Sequence, residues 1–271
     1  MKPNGLATRL LEERSARRAA VVPYLLVDRR RLGLSRSLVR AMRNSGAAAV
    51  ELGFPFSDPI ADGPILQEAS ARALAHQTSW HDLLTAIQLS SRELPTAVMT
   101  YANPVFHRGL LASIREMRSA GASALIVPDL SLEDAQEWRI RTRQEGVSLV
   151  LMAAPSSSEK RVRDLVRKTE GFLYIVSRFG TTGKEEGNGG VDLRPLISTA
   201  HRARPELPLL VGFGVQARGD VRAALAQGAD GVIVGSALEQ VLTSSPDSSS
   251  VERFLRPLVA EARSISRNRS K

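Results

Sequence analysis

An alternation of short apolar runs with helical stretches recurs eight times along the chain, and it constrains the fold more than any other feature. The runs are Val21 to Val27, Ala47 to Leu52, Thr96 to Thr100, Ala124 to Pro128, Val147 to Ala153, Phe172 to Val176, Leu209 to Gly212 and Gly231 to Val234. Each is too short for a helix and apolar throughout, the pattern of a strand buried on both faces. Between them lie helical patterns at Ser35 to Asn44, Trp80 to Leu94, Ser113 to Ala120, Leu132 to Glu145, Glu159 to Thr169, Leu193 to Ala203 and Arg218 to Gln227. Gly46, Gly121, Gly146, Gly171 and Gly228 stand between a helix and the next strand, where a left-handed cap reverses the chain. Eight such units predict an α/β fold, a single closed (β/α)8 TIM barrel. An open, doubly wound sheet would carry a glycine-rich fingerprint after its first strand, which is absent.

Leu6, Leu10 and Leu11 sit at helical spacing within Leu6 to Ala19, so an extra N-terminal helix is expected to close one end of the barrel. No Pro/Gly/Ser linker divides the 271 residues, which read as one domain, 1–271. The SSPDSSS stretch from Ser244 is expected to join two short terminal helices. The final SISRNRSK, 264–271, lacks apolar periodicity and is expected to be a disordered basic tail.

Composition narrows the function classes. The absence of cysteine excludes disulfides, thiolate metal sites and cysteine nucleophiles, and His76, His81, His107 and His201 show no ligand spacing, so no metal is expected. There is no run of about 18 apolar residues to span a bilayer. The first twenty residues have acids and arginines where an export signal would be apolar, so a cytoplasmic location is expected. The net charge of +9 comes from arginine-rich pieces at Arg14 to Arg18, Arg29 to Arg31, Arg161 to Lys168 and Arg263 to Lys271. These read as dispersed solvated faces. Aromatics are only 4% and no stacking platform is apparent, so nucleic acid is not an expected partner.

Chemistry concentrates in Glu51 to Gln67, ELGFPFSDPIADGPILQ. Glu51 lies near the end of the second apolar run, where burial would raise its pKa toward that of a general acid working near neutrality. Asp58 and Asp62 follow in a loop restricted by Pro55, Pro59 and Pro64. Spacing alone leaves a second reading equally open, in which the aspartates form Asx-turns and Glu51 pairs with a buried arginine. In a barrel of this type the site forms at the C-terminal ends of the strands. Tyr101, Asn103, Asp129 and Tyr174 fall there too, as do the SRFGTTG, GFG and VGS stretches. Gly180, Gly183, Gly212, Gly214, Gly235 and Ser236 could bring backbone N–H groups onto an anion, although left-handed turns also need glycine. Their place after strands six, seven and eight favours phosphate. The loop Gly180 to Gly190 reads as a lid, with Thr182 bonding Asp62 on closure, or else as a plain surface loop.

The segment Glu51 to Gln67 closely resembles the signature of the tryptophan synthase alpha chain family, and TYANPVF, IVPDL, APSSS, YIVSRFGTTG, GFGV and GADGVIVGSA follow that family's pattern in order, over about Val21 to Leu242. The resemblance implies retro-aldol cleavage of indole-3-glycerol phosphate to indole and glyceraldehyde 3-phosphate without a cofactor. It implies Glu51 and Asp62 as the catalytic pair, and Gly183, Gly214, Gly235 and Ser236 at the phosphate. It further implies Tyr24, Met99, Ile126 and Phe213 around the indole, Tyr174 beside Glu51, and a pyridoxal-phosphate beta chain as partner in an α2β2 assembly. The alternatives are a free-standing lyase releasing indole to another pathway and a non-catalytic barrel subunit. Two stretches depart from the pattern. LLVDRRRLG after strand one places Leu26 near the family's threonine with Asp28 displaced, and Ser131 replaces a proline.

Overall fold

The computed structural model describes residues 5–177 and 191–268. Helix α1 (Gly5–Ser15) precedes β1 (Ala20–Leu26), which leads through a 3-10 helix (Arg29–Leu34) into α2 (Ser35–Asn44) and β2 (Val50–Gly53). Helices α3 (Pro64–Ala75) and α4 (Trp80–Ser90) precede β3 (Thr96–Met99), and α5 (Ala102–Arg108) and α6 (Leu110–Ala120) precede β4 (Ala122–Ile126). The order continues with α7 (Ala135–Gln144), β5 (Ser148–Ala153), α8 (Glu159–Lys168), β6 (Leu173–Val176), α9 (Arg194–Ala203) and β7 (Leu209–Gly212). It ends with α10 (Arg218–Ala226), β8 (Gly231–Val234), α11 (Ser236–Ser244) and α12 (Ser248–Asn268).

All eight strands pair in parallel, each with the next, and β1 pairs with β8 to close the barrel. Register runs Tyr24 to Glu51, Glu51 to Ala97, and Val176 to Gly212, with a shift at Thr96/Ala97. The pleat sorts the strand residues into two cores. Val22, Tyr24 and Leu26 join Met99, Ile126, Val150, Tyr174 and Leu210 in one cluster inside the barrel. The intervening Val21, Leu25, Val98, Leu125 and Val211 join the apolar faces of the helices in the other. Both surfaces of each strand are therefore buried, which is why the strands read as unbroken apolar runs.

The five glycines placed between helix and strand all take positive φ, from 70° at Gly146 to 113° at Gly121, as the reversal requires. Helix α1 is shorter than the expected Leu6 to Ala19, because Arg17 at φ 51° turns the chain into β1. Its Leu6 and Leu10 enter the inner cluster, and Arg14 Nε binds Asp230 Oδ1 at 3.0 Å just before β8, so the helix seals the N-terminal end of the barrel.

Two further features differ from expectation. The sequence reading missed α3 and α5 because both begin with turn-like residues, Gly63-Pro64 and Ala102-Asn103-Pro104. Proline at the first helical positions starts a helix as readily as it ends one. At the C-terminus α12 is long, 21 residues, and reaches Asn268, so much of the stretch expected to be disordered is helix. Ile265 supplies the reason by packing against the outer core. The arginine-rich pieces pair with nearby acids, Arg161 with Glu133, Arg163 with Glu159 and Arg167 with Asp164 on α8.

Candidate active site

Glu51 faces the barrel interior from β2. It is 1% exposed, and neither carboxylate oxygen has a hydrogen-bond partner among the described residues. Among the described residues no arginine meets it, so the reading of a buried structural ion pair finds no partner there. Burial, with Asp62's charge adding to it, raises Glu51 to about 8. An uncompensated buried carboxyl stays protonated at neutral pH, the state a proton donor must hold.

Asp62 is buried too, in the loop between β2 and α3. Burial pushes it up to about 6, and the hydrogen bond from the Tyr101 hydroxyl to Oδ2 at 3.1 Å opposes that rise. Tyr101 sits just after β3 and stacks on Phe56, with ring centroids 5.0 Å apart. Its hydroxyl also accepts the Ala61 N–H at 3.0 Å, and Gln67 Nε2 donates to the Asp62 carbonyl at 2.9 Å. The loop is thus pinned on both sides of its acid. Two carboxyls share one mouth with separated affinities for a proton, one mainly neutral and one mainly ionised at pH 7.

Tyr24, Met99, Ile126 and Tyr174 are buried in the inner cluster, and the partly buried Phe213 packs against it. Tyr174 and Phe213 meet edge to face at 5.6 Å. Tyr24 pairs in register with Glu51, and burial, with the charges of Glu51 and Asp62 adding to it, pushes both tyrosine hydroxyls well above the ordinary tyrosine value. Asp58 and Asn103 are exposed, and Asp58 accepts the Ser57 hydroxyl. Asp129, also exposed, accepts the Ala102 N–H at 2.9 Å and so caps α5. None of these three joins the acids. Thr182, Gly183, Gly180 and the expected lid lie outside the described residues.

The glycines of the phosphate corner separate by cause. A Cβ on Gly212 would fall 2.2 Å from the Tyr174 hydroxyl oxygen, so Gly212 makes room for that side chain, a correction to its reading as part of an anion cradle. Gly235 differs. Its φ is −109°, and a Cβ there would make ordinary contacts of 3.6 Å with Tyr24 and 3.7 Å with Leu66. Packing within the protein does not require glycine at this position. Ser236 opens α11, whose first N–H groups and dipole favour an anion. After β7, Phe213 at φ 61° precedes Gly214 at φ 116°. A bulky residue in the left-handed region is strained and persists only where its surroundings hold it.

Ser177 provides part of that hold. From the end of β6 its hydroxyl donates to the Gly212 carbonyl at 2.9 Å and contacts the Phe213 carbonyl. Sequence reasoning missed the roles of Ser177 and Tyr101, because both act through loops distant in sequence. Around strand one, Asp28 caps the 3-10 helix by accepting Arg30 N–H at 2.9 Å and also binds His76 Nδ1 at 2.9 Å. No cluster of three or more His, Asp or Glu suited to a metal occurs among the described residues.

Comparison with known proteins gives a consistent result. The sequence model of the family described as Tryptophan synthase alpha chain matches residues 10–264. The tryptophan synthase alpha chain of Methanosarcina mazei is 34% identical over 253 residues, 93% of this chain and 91% of that one. That of Synechococcus elongatus is 38% identical over 228 residues, covering 83% and 84%. Among solved structures, a Mycobacterium tuberculosis tryptophan synthase chain superposes with a TM-score of 0.86 at 32% identity, covering 97% of this chain and 99% of that one. A chain of the Pyrococcus furiosus tryptophan synthase α2β2 complex does so with a TM-score of 0.81 at 32% identity, covering 90% and 99%.

Proposed function

The chain belongs to the tryptophan synthase alpha chain family, a family of lyases that cleave indole-3-glycerol phosphate, and from that premise we propose how its own residues carry the reaction. Glu51 donates its proton to C3 of the indole. The ring then carries positive charge that reaches N1, and Asp62, as a carboxylate, accepts the N1–H hydrogen bond and stabilises that charge. The bond between C3 and the side chain breaks, and its electron pair returns to the ring. The adjacent hydroxyl loses its proton to the Glu51 carboxylate and becomes the aldehyde of glyceraldehyde 3-phosphate. Protons balance, and the acid is regenerated.

The observation that carries this reading is the pair of buried carboxyls with different environments: Glu51, with no hydrogen-bond partner among the described residues, at about 8, and Asp62, bonded by Tyr101, at about 6. Tyr24, Met99, Ile126, Tyr174 and Phe213 form the apolar surface that receives the indole. The N–H groups of Gly214, Gly235 and Ser236 hold the phosphate, which supplies binding energy remote from the reacting carbons. Gly183 and Thr182 complete the phosphate grip and the closure over Asp62 in the same proposal.

A pyridoxal-phosphate beta chain is the proposed partner. The Pyrococcus furiosus relative is an α2β2 complex. Ile60, 74% exposed in the loop after β2, and Phe106, 56% exposed on α5 after β3, lie at the end of the barrel that carries the acids, where such a chain would receive indole. We place the reaction in the cytoplasm, the compartment of amino-acid biosynthesis. No described helix is long and apolar enough to cross a membrane. The test is release of indole from indole-3-glycerol phosphate by the purified chain, alone and with a beta chain. Turnover by the isolated chain that rises on adding the beta chain is expected, and no indole in either case would contradict the proposal.

A further inference from the structure

The connector after β1 builds an ion-pair cluster. Arg31 Nη2 and Nη1 reach Glu239 Oε1 at 2.8 Å and Oε2 at 3.2 Å, a two-pronged contact. Glu239 lies on α11 and is 1% exposed, and Arg31 is largely covered as well. Arg72 of α3 approaches the same Oε1 at 3.6 Å and donates to the Thr243 hydroxyl of α11 at 3.2 Å. The segment carrying Arg31 is itself held at the far end of α3. Asp28 binds His76 at 2.9 Å, and the Arg29 N–H donates to the Thr78 hydroxyl at 3.0 Å.

The two helices joined here begin at the two working parts of the site. Helix α3 starts at Pro64, two residues after Asp62, and α11 starts at Ser236, one residue after Gly235. Glu239 stands one turn inside α11, and its N–H closes that turn on the Gly235 carbonyl at 3.0 Å. Near the mouth the helices meet through Leu66 under Gly235. Farther along, Arg72 reaches from α3 to Glu239 and Thr243 of α11, and Arg31 ties the same Glu239 to the strand-one connector. A two-pronged arginine–carboxylate contact constrains direction as well as distance, which suits the orientation of a helix end.

We propose that Glu239 is a positioning residue for substrate phosphate: through Arg31 and Arg72 it locks α11 against α3 and the strand-one connector, so that the Gly235–Ser236 N–H groups are preset for the anion. The proposal rests on the phosphate reading given above. Loss of the lock costs binding of the phosphate end, with the chemistry at C3 left in place. The signature is a rise in KM with kcat retained.

The experiment compares wild type, Glu239→Gln, Arg31→Lys and Ser236→Asp for steady-state cleavage and for binding of glycerol 3-phosphate, with circular dichroism to establish folding. Glu239→Gln is expected to raise KM and the glycerol phosphate dissociation constant about tenfold, with kcat within about twofold. Arg31→Lys keeps the charge, loses the fork and should give a smaller rise of the same kind, so the result does not depend on Glu239→Gln folding. Unchanged KM and dissociation constant in the folded variants would overturn the proposal. So would a fall in kcat at unchanged KM, which would place the effect on the acids instead. Ser236→Asp separates the two layers. If it abolishes glycerol phosphate binding while the Glu239 and Arg31 variants bind as wild type, the phosphate site stands and the lock fails. If Ser236→Asp binds normally, the phosphate reading itself fails.

Discussion

The Tyr101 hydroxyl donates to Asp62 Oδ2 at 3.1 Å while accepting the Ala61 N–H at 3.0 Å, so one phenol after strand three fixes both the backbone and the acid of the loop after strand two. That hydrogen bond lowers Asp62's pKa against the upward push of burial. Removing it in Tyr101→Phe should raise the acidic limb of the kcat profile above about 6, because turnover needs Asp62 ionised. One charge-assisted hydrogen bond corresponds to about one pH unit. An acidic limb in the same place as in wild type would show that the bond does not tune Asp62.

Glu51 works in its protonated form, so the alkaline limb should fall as pH rises through about 8. The same shift costs stability. A carboxyl raised from 4.5 to about 8 on folding favours the native state most below 4.5 and loses that contribution as pH climbs toward 8, since the unfolded chain ionises first. Glu51→Gln carries no such penalty, so its stability advantage over wild type should grow with pH and reach roughly 3 kcal/mol at pH 7. Urea unfolding of both proteins between pH 5 and 8 measures this, and a difference that does not vary with pH would rule it out.

At the phosphate corner, Gly235→Asp and Ser236→Asp each put a negative charge where the substrate's own must sit. KM should rise at least about a hundredfold, with the fold intact, because a Cβ at Gly235 meets only ordinary contacts. Wild-type KM in either variant would move the phosphate elsewhere.

Helix α12 alters what truncation should do. Removing 269–271 leaves Ile265 on the core, so activity and melting temperature should stay at wild-type values. Removing 264–271 strips Ile265 and should cost about 1 kcal/mol. Equal melting temperatures for the two truncations would show that Ile265 adds nothing.

The barrel was legible because strands buried on both faces must be apolar throughout, and because five reversals needed glycine at positive φ. Glu51 was legible for a related reason, as a lone acid in an apolar run. Helices α3 and α5 were hidden behind proline and glycine that serve equally as loop and helix starts. Tyr101, Ser177 and Glu239 were unreadable in their roles, since each acts on a partner 35 to 208 residues away, Gly212 for Ser177 and Arg31 for Glu239. Gly212 misled in the opposite direction. A glycine in an anion-binding corner and a glycine yielding to a tyrosine hydroxyl look alike until the tyrosine is in place.

The central claim is that Glu51 supplies the proton that breaks the carbon–carbon bond. Single-turnover cleavage of indole-3-glycerol phosphate at pH 7 by wild type and Glu51→Gln measures it most directly, because the amide keeps the shape of the site and cannot act as the acid. The account predicts a fall of about a thousandfold or more with substrate affinity preserved. A Glu51→Gln variant that keeps more than about a tenth of the wild-type rate would contradict it.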